Sequence, residues 1–62
     1  MIIRKTPSDI SKYIIVTSDT NVILHKNGFI PKYMSLDGGF YYYDKTDDII
    51  SFIKSNNLIA LD

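Results

Sequence analysis

The pattern of apolar and polar residues predicts a strand followed by a short helix in the first half of the chain. Residues 12–17 are almost continuously β-branched or aromatic, which predicts a strand with both faces covered, in the centre of a sheet. Residues 18–21 are four capping or turn residues, and Ser18 or Asp19 would cap a helix that continues to Lys26. We expect that helix to end at Gly28 in a left-handed conformation.

A second interpretation of residues 19–27 stays open at this point. A turn at Asp19-Thr20 would make 22–24 a strand, and Val and Ile favour strands by local propensity. The helix is the preferred interpretation because Lys26 would lie in its last turn, where a cation complements the helix dipole.

A β-hairpin is the clearest local signal in the chain. Residues 29–36 predict a strand that lies at an edge or is irregular, because Pro31 has no N–H to donate. The turn Asp37-Gly38-Gly39 then favours antiparallel return of the strand 40–43, since both glycines tolerate positive φ.

A second helix follows the hairpin. Thr46 is a good N-cap, and Asp47 and Asp48 would lie in the first turn, where carboxylates complement the helix dipole. The apolar residues between 49 and 53 recur at helical spacing and predict one buried face. The apolar segment 58–61 either packs back on the domain or extends the sheet.

These elements predict an α+β fold, a small β-α-β-β-α domain with helices packed on one face of a mainly antiparallel three-stranded sheet. We expect residues 1–62 to form a single domain. In it, 1–11 are loose or a short extra strand, 12–55 are the compact core and 56–62 are a tail. The predicted core residues are Ile14, Val16, Val22, Leu24, Phe29, Met34, Phe40, Tyr42, Ile49, Phe52 and Ile53.

The run Tyr41-Tyr42-Tyr43 is the most unusual feature of the sequence. Alternation places Phe40 and Tyr42 on one face of the strand and Tyr41 and Tyr43 on the other. We expect the helices to cover Phe40 and Tyr42, which would leave Tyr41 and Tyr43 in solvent. Tyrosine is enriched at binding interfaces, and the predicted partner-binding residues are Tyr41, Tyr43, Tyr33 and Lys32.

Composition narrows the ways in which so short a chain can be stabilised. It has no cysteine and one histidine, His25, so disulfides, thiolate zinc sites and histidine-rich metal sites are excluded. A core of this size rarely contributes more than ~3–5 kcal/mol without such support. Self-association is the reinforcement that remains, and we carry a homo-oligomer as a hypothesis.

Charge is balanced overall but unevenly distributed. Residues 1–32 carry five cations and two carboxylates, a formal charge of +3, and residues 33–62 carry −3. Zero net charge gives no general attraction to nucleic acid. One further hypothesis is that the acidic half, with Asp44, Asp47 and Asp48, binds a basic groove on a host protein.

The stretches Asn27-Gly28-Phe29-Ile30-Pro31, Gly39-Phe40-Tyr41-Tyr42-Tyr43 and Thr46-Asp47-Asp48 resemble a loose group of short proteins from Gram-positive bacteria and their phages. Members of that group share a helix ending in Gly-Phe, an aromatic strand and a capped second helix. The resemblance covers roughly residues 12–55. It implies an uncharacterised phage or prophage accessory protein and supplies no site residues.

The residues present favour binding over catalysis. No phosphate-binding glycine loop or catalytic triad is recognisable, so we expect a non-enzymatic, cytoplasmic protein without cofactor or metal and without a membrane partner. The expected partner is another protein or a second copy of the chain. The alternative is weak binding of single-stranded nucleic acid, in which the same tyrosines would act with Arg4, Lys5, Lys12 and Lys32.

Overall fold

The computed structural model describes residues 2–60, which form an α+β fold of seven short elements. A 3₁₀ turn over Ile10–Lys12 precedes the second strand. The strands are β1 (Ile3–Arg4), β2 (Tyr13–Thr17), β3 (Tyr33–Met34) and β4 (Phe40–Asp44), and the helices are α1 (Ser18–Lys26) and α2 (Asp47–Ser55). None of the helices in this described part is long and apolar enough to cross a membrane.

The α+β class is confirmed, but the predicted sheet is wrong in detail. The observed sheet has four strands in the order β1-β3-β4-β2. It is a mixed sheet, because β1 runs parallel to β3 while β4 is antiparallel to both of its neighbours. The sequence pattern of β1 is too short to identify a strand: it holds two residues and depends on contacts with β3, about 30 residues away.

The predicted central position of β2 is also wrong, since β2 is an edge strand. Its continuous apolar run arises because one face packs on the helices while the other carries half-buried side chains of the helix-free face. Apolar residues at both odd and even positions therefore show that both faces of a strand are at least partly buried. They do not show that the strand has a hydrogen-bonded neighbour on each edge.

The strand predicted over residues 29–36 shrinks to Tyr33–Met34. Phe29 belongs to the end of α1, because its N–H donates to the carbonyl of Leu24 (3.1 Å). Pro31 is fully buried and offers no N–H, so regular pairing begins only after it. The hairpin is confirmed: Gly38 takes φ 76°, and the Asp37 carboxylate accepts from the Gly39 N–H at 3.0 Å.

The preferred helical interpretation of residues 19–27 is confirmed, although the predicted caps Ser18 and Asp19 lie inside α1. The N-cap is Thr17, whose side chain makes no capping hydrogen bond. In α2 the predicted N-cap is confirmed, since Thr46 Oγ1 accepts from the Ile49 N–H.

Both helices pack on the same face of the sheet, and the core lies between the two layers. The buried cluster consists of Ile14, Val16, Leu24, Tyr43, Ile49 and Ile53. Two predicted core residues are exposed instead, Val22 on the outer side of α1 and Phe40 at the start of β4. The segment after α2 packs back: Leu58 contacts the core and the Ile59 carbonyl accepts from Thr20 Oγ1 at 3.4 Å. Leu61 lies outside the described residues.

The two helices end in the same way. In α1 the N–H of Phe29 donates to the carbonyl of Leu24, and in α2 the N–H of Leu58 donates to that of Ile53. The residue before each donor has positive φ, 91° at Gly28 and 54° at Asn57. This arrangement is the Schellman motif, and the apolar residue that follows the left-handed one packs against the core in both cases.

We expect Asn57→Gly to stabilise the domain by roughly 0.5 kcal/mol. Glycine adopts positive φ without a Cβ penalty, although its greater freedom in the unfolded chain offsets part of the gain. The reciprocal variant Gly28→Asn should destabilise by a similar amount. Urea unfolding of both variants measures the difference, and equal stability of all three proteins would contradict it.

Candidate functional site

The sheet has one face under the helices and one face that neither described helix covers. The pairing register between strands assigns each strand residue to one face of the sheet. Side chains of paired residues point to the same face, and side chains of successive residues along a strand point to opposite faces. We call the side without helices the helix-free face. Its residues are Ile3, Tyr13, Ile15, Thr17, Tyr33, Phe40, Tyr42 and Asp44.

The predicted orientation of β4 is wrong. Tyr43 is 2% exposed and belongs to the core cluster, and Tyr41 packs against that cluster. They lie opposite Ile14 and Val16, the two β2 residues buried under the helices. Tyr43 therefore has none of the solvent exposure on which its predicted partner-binding role depended, and Tyr41 is half-buried on the same helix-covered face.

One signal in the sequence does identify the correct face. Asp44 is the last residue of β4 and shares its parity with Phe40 and Tyr42. A carboxylate is rarely buried unless it is paired, so this parity indicates the side that faces water.

The Tyr43 hydroxyl is buried with a specific partner. Its O–H donates to Asn21 Oδ1, which connects β4 to α1 across the core. Burial, and secondly the neighbouring Tyr41, raises the pKa of Tyr43 to about 12. Tyr43 thus acts in the fold as a hydrogen-bonded core residue.

We expect the domain to lose stability in alkali, between about pH 10 and pH 12. The unfolded chain ionises Tyr43 near its ordinary pKa of about 10, whereas the folded chain holds the phenol neutral until about pH 12. The stabilising contribution is therefore complete below pH 10 and lost as pH rises through the folded value. Urea unfolding at pH 8 to 12 measures this slope.

Tyr43→Phe is the matched control for the alkaline loss. The variant should be less stable at pH 8 by about 1–2 kcal/mol, because the Asn21 acceptor loses its donor. It should also lose less stability on going to pH 12 than the wild type. Parallel pH profiles for the two proteins would contradict the assignment to Tyr43.

The centre of the helix-free face is an aromatic cluster. The rings of Tyr13 on β2 and Tyr33 on β3 meet edge to face, with centroids 5.5 Å apart. Since β4 lies between these strands, the two rings meet above it. Tyr42 on β4 is flanked by Tyr33 and Ile15 and is only 7% exposed, although no described helix covers it. The centre of this face is therefore largely shielded from solvent.

One basic and one acidic residue act electrostatically on this cluster. Burial is the main cause that raises the pKa of Tyr13, and the adjacent Tyr33 phenol is the next. Lys32 lowers that pKa to a smaller extent, and Asp44, which pairs with Tyr13 across the strands, raises it. Of the predicted partner-binding residues, the structure brings Tyr33 into contact with Tyr13 on the helix-free face, and exposed Lys32 directly precedes Tyr33 in the chain. Tyr41 and Tyr43 lie on the opposite face.

The margins of the face are apolar and accessible. Ile3 on β1 is 46% exposed and Phe40 on β4 is 39% exposed. Both residues lie on the same side of the sheet as the tyrosine cluster. An aromatic centre with exposed apolar margins is suited to docking against another apolar surface.

A pocket of about 350 Å³ lies on the other side of the domain, below α2. Its lining consists of Ile14, Ile50, Ile53, Ala60, Lys45 and Lys54. The lining thus combines four apolar side chains with two lysine ammonium groups and contains no carboxylate or imidazole. Across residues 2–60, no group of three His, Cys, Asp or Glu side chains is placed to hold a metal ion.

Comparisons with known proteins give no relative of this chain: no family model, no curated protein and no solved structure matches it. The group of phage and Gram-positive proteins inferred from the sequence therefore stays a prediction.

Proposed function

We propose that this chain is a non-enzymatic binding module that docks another protein on its helix-free face. The observation that supports the proposal is an aromatic and aliphatic sheet face outside both described helices, with Phe40 and Ile3 exposed beside the Tyr13–Tyr33 pair. Apolar surface of this kind is costly to leave in water, and burial against a partner recovers about 25 cal/mol per Å².

A protein partner fits this face better than single-stranded nucleic acid. Base stacking needs open ring faces and several neighbouring cations, but Tyr42 is almost fully buried and the Tyr13 and Tyr33 rings contact each other. Lys32 is the one cation that acts electrostatically on Tyr13, and Asp44 acts in the opposite sense. The expected partner surface is apolar where it meets Ile3 and Phe40, with polar groups opposite the tyrosine hydroxyls.

The test compares variants that remove exposed apolar side chains from different surfaces. Phe40→Ser and Ile3→Ser alter the helix-free face, and Val22→Ser is the matched control, since Val22 is 52% exposed on the outer side of α1. Each tagged protein is used to capture partners from a lysate of the source organism. A partner found with the wild type is then purified and titrated by calorimetry.

We expect the two face variants to weaken that purified interaction at least about tenfold, because each removes an exposed apolar side chain that the partner would bury. The Val22→Ser control should bind like the wild type, and all variants should keep the wild-type circular dichroism spectrum. Equal affinity for the wild type and both face variants would contradict the proposal.

A second measurement addresses the nucleic-acid alternative. Fluorescence anisotropy with single-stranded oligo-dT and oligo-U at low salt should show no saturable binding. Binding that Phe40→Ser weakens and that about 200 mM salt abolishes would replace the proposal with the nucleic-acid function.

A further inference from the structure

Strand β2 presents unpaired backbone groups at its outer edge. The carbonyls of Tyr42 and Phe40 accept from the N–H groups of Lys32 and Ser35, which flank β3, at 2.9 Å each. The backbone groups of Tyr41 and Tyr43 therefore point to β2. Their partners on β2 are Val16 and Ile14, so the backbone N–H and carbonyl groups of these two residues point towards β4.

The intervening residues of β2 point the other way. The N–H groups of Ile15 and Thr17 and the carbonyls of Tyr13 and Ile15 face outward, and none of them has a backbone partner within residues 2–60. Two donors and two acceptors in alternation are the pattern to which another strand adds.

The two edges of the sheet differ in how they are protected. Edge β1 is only two residues long and leads into Arg4-Lys5, and short length and charge both discourage pairing. Edge β2 has five residues in regular pairing with β4, with no proline, charge or glycine among them. Natural sheets rarely leave such an edge open.

We infer that β2 pairs with β2 of a second copy, antiparallel and centred on Ile15. In that register the N–H and carbonyl of Ile15 exchange hydrogen bonds with the same groups of the other Ile15. The Thr17 N–H of each copy donates to the Tyr13 carbonyl of the other. All four outward groups of each edge are then satisfied, and no other antiparallel register achieves this.

Charge complementarity selects a second copy in this antiparallel orientation. Lys12 precedes β2 and Asp19 follows it in the first turn of α1, and both side chains are exposed. Antiparallel apposition brings Lys12 of each copy towards Asp19 of the other, so two opposite-charge contacts form. Parallel apposition would instead face lysine with lysine and aspartate with aspartate.

The product is one continuous eight-stranded sheet with all helices on one side. Its two helix-free faces then join into a single surface across the symmetry axis. The inference depends on the backbone edge and not on the proposed partner contact, so each can fail alone. Phe40→Ser, which alters that face, should leave the dimer intact.

Single-cysteine variants test the register, because the natural chain has no cysteine. At Ile15→Cys the two introduced thiols lie opposite each other, with Cα atoms about 5.5 Å apart, which a disulfide spans. At Thr17→Cys, on the same edge and face, the two positions are about 14 Å apart. Mild oxidation should link Ile15→Cys at least tenfold faster than Thr17→Cys or the exposed control Val22→Cys. Equal rates would overturn the inference.

Light scattering coupled to size exclusion measures the dimer itself. The wild type should shift from 7.1 kDa towards twice that mass as its concentration rises to about 1 mM, since edge pairing alone is a small interface. A synthetic chain with N-methylated Ile15 loses the central donor and should stay monomeric with an unchanged circular dichroism spectrum. Ile15→Val keeps that N–H and should dimerise.

Exchanging the charges of Lys12 and Asp19 is a further test of the dimer. Lys12→Asp should weaken the dimer, and the double variant Lys12→Asp, Asp19→Lys should restore it. A wild type that is monomeric at every concentration, or a dimer that N-methylation leaves intact, would overturn the inference.

Discussion

Tyr43→Ala is expected to leave the chain mostly unfolded at 25 °C. The side chain is 2% exposed, packs in the core cluster and donates its hydroxyl proton to Asn21. Replacing a buried aromatic residue by alanine costs about 3–5 kcal/mol. A domain of this size rarely has more than about that amount in total. Circular dichroism and amide NMR dispersion measure the loss.

Phe40→Ala is the matched control for that loss, an aromatic-to-alanine change in the same strand but on the other face. Phe40 is 39% exposed, so we expect its removal to cost no more than about 1 kcal/mol. The pair of variants therefore reports the orientation of β4 directly. A stable Tyr43→Ala protein together with an unfolded Phe40→Ala protein would contradict the structure.

Leu24→Ala is expected to have the second largest effect, a destabilisation of about 3 kcal/mol. Leu24 is fully buried, and α1 packs on the sheet through it and the buried Thr20. The remaining folded fraction should melt at least about 12 °C lower, since 1 kcal/mol corresponds to about 4–8 °C in a domain this small.

Val22→Ala, two residues earlier in the same helix, is the control. Val22 points away from the core, and alanine is the better helix former, so stability should change by less than about 0.5 kcal/mol. Equal losses for the two variants would mean that α1 packs on the sheet in a different rotation.

Signals that are local in sequence correctly predicted several features of the fold. The turn at Asp37-Gly38-Gly39, the Thr46 cap and the left-handed Gly28 each depend on hydrogen bonds or backbone preferences within a few residues. The buried residues of α2, Ile49 and Ile53, follow from helical spacing alone.

Contacts between residues that are distant in the sequence determined two features of the fold that local sequence signals did not predict. The Gly-Phe and Asn-Leu endings of the helices are equivalent only in three dimensions, where Phe29 and Leu58 both reach the core. Strand β1 exists because β3 pairs with it, and its two residues have no intrinsic signal strong enough to predict a strand.

The candidate site was the part most dependent on tertiary structure. A strand with aromatic residues at both parities fits a core on either side, so within β4 only Asp44 indicates which face is turned to water. Pairing of Tyr43 with Ile14 and its hydrogen bond to Asn21 select one side. The sequence by itself determined that tyrosines would line the sheet. Which of them pack beneath the helices and which form the helix-free face was decided by the register between strands, because a shift of one residue exchanges the two faces.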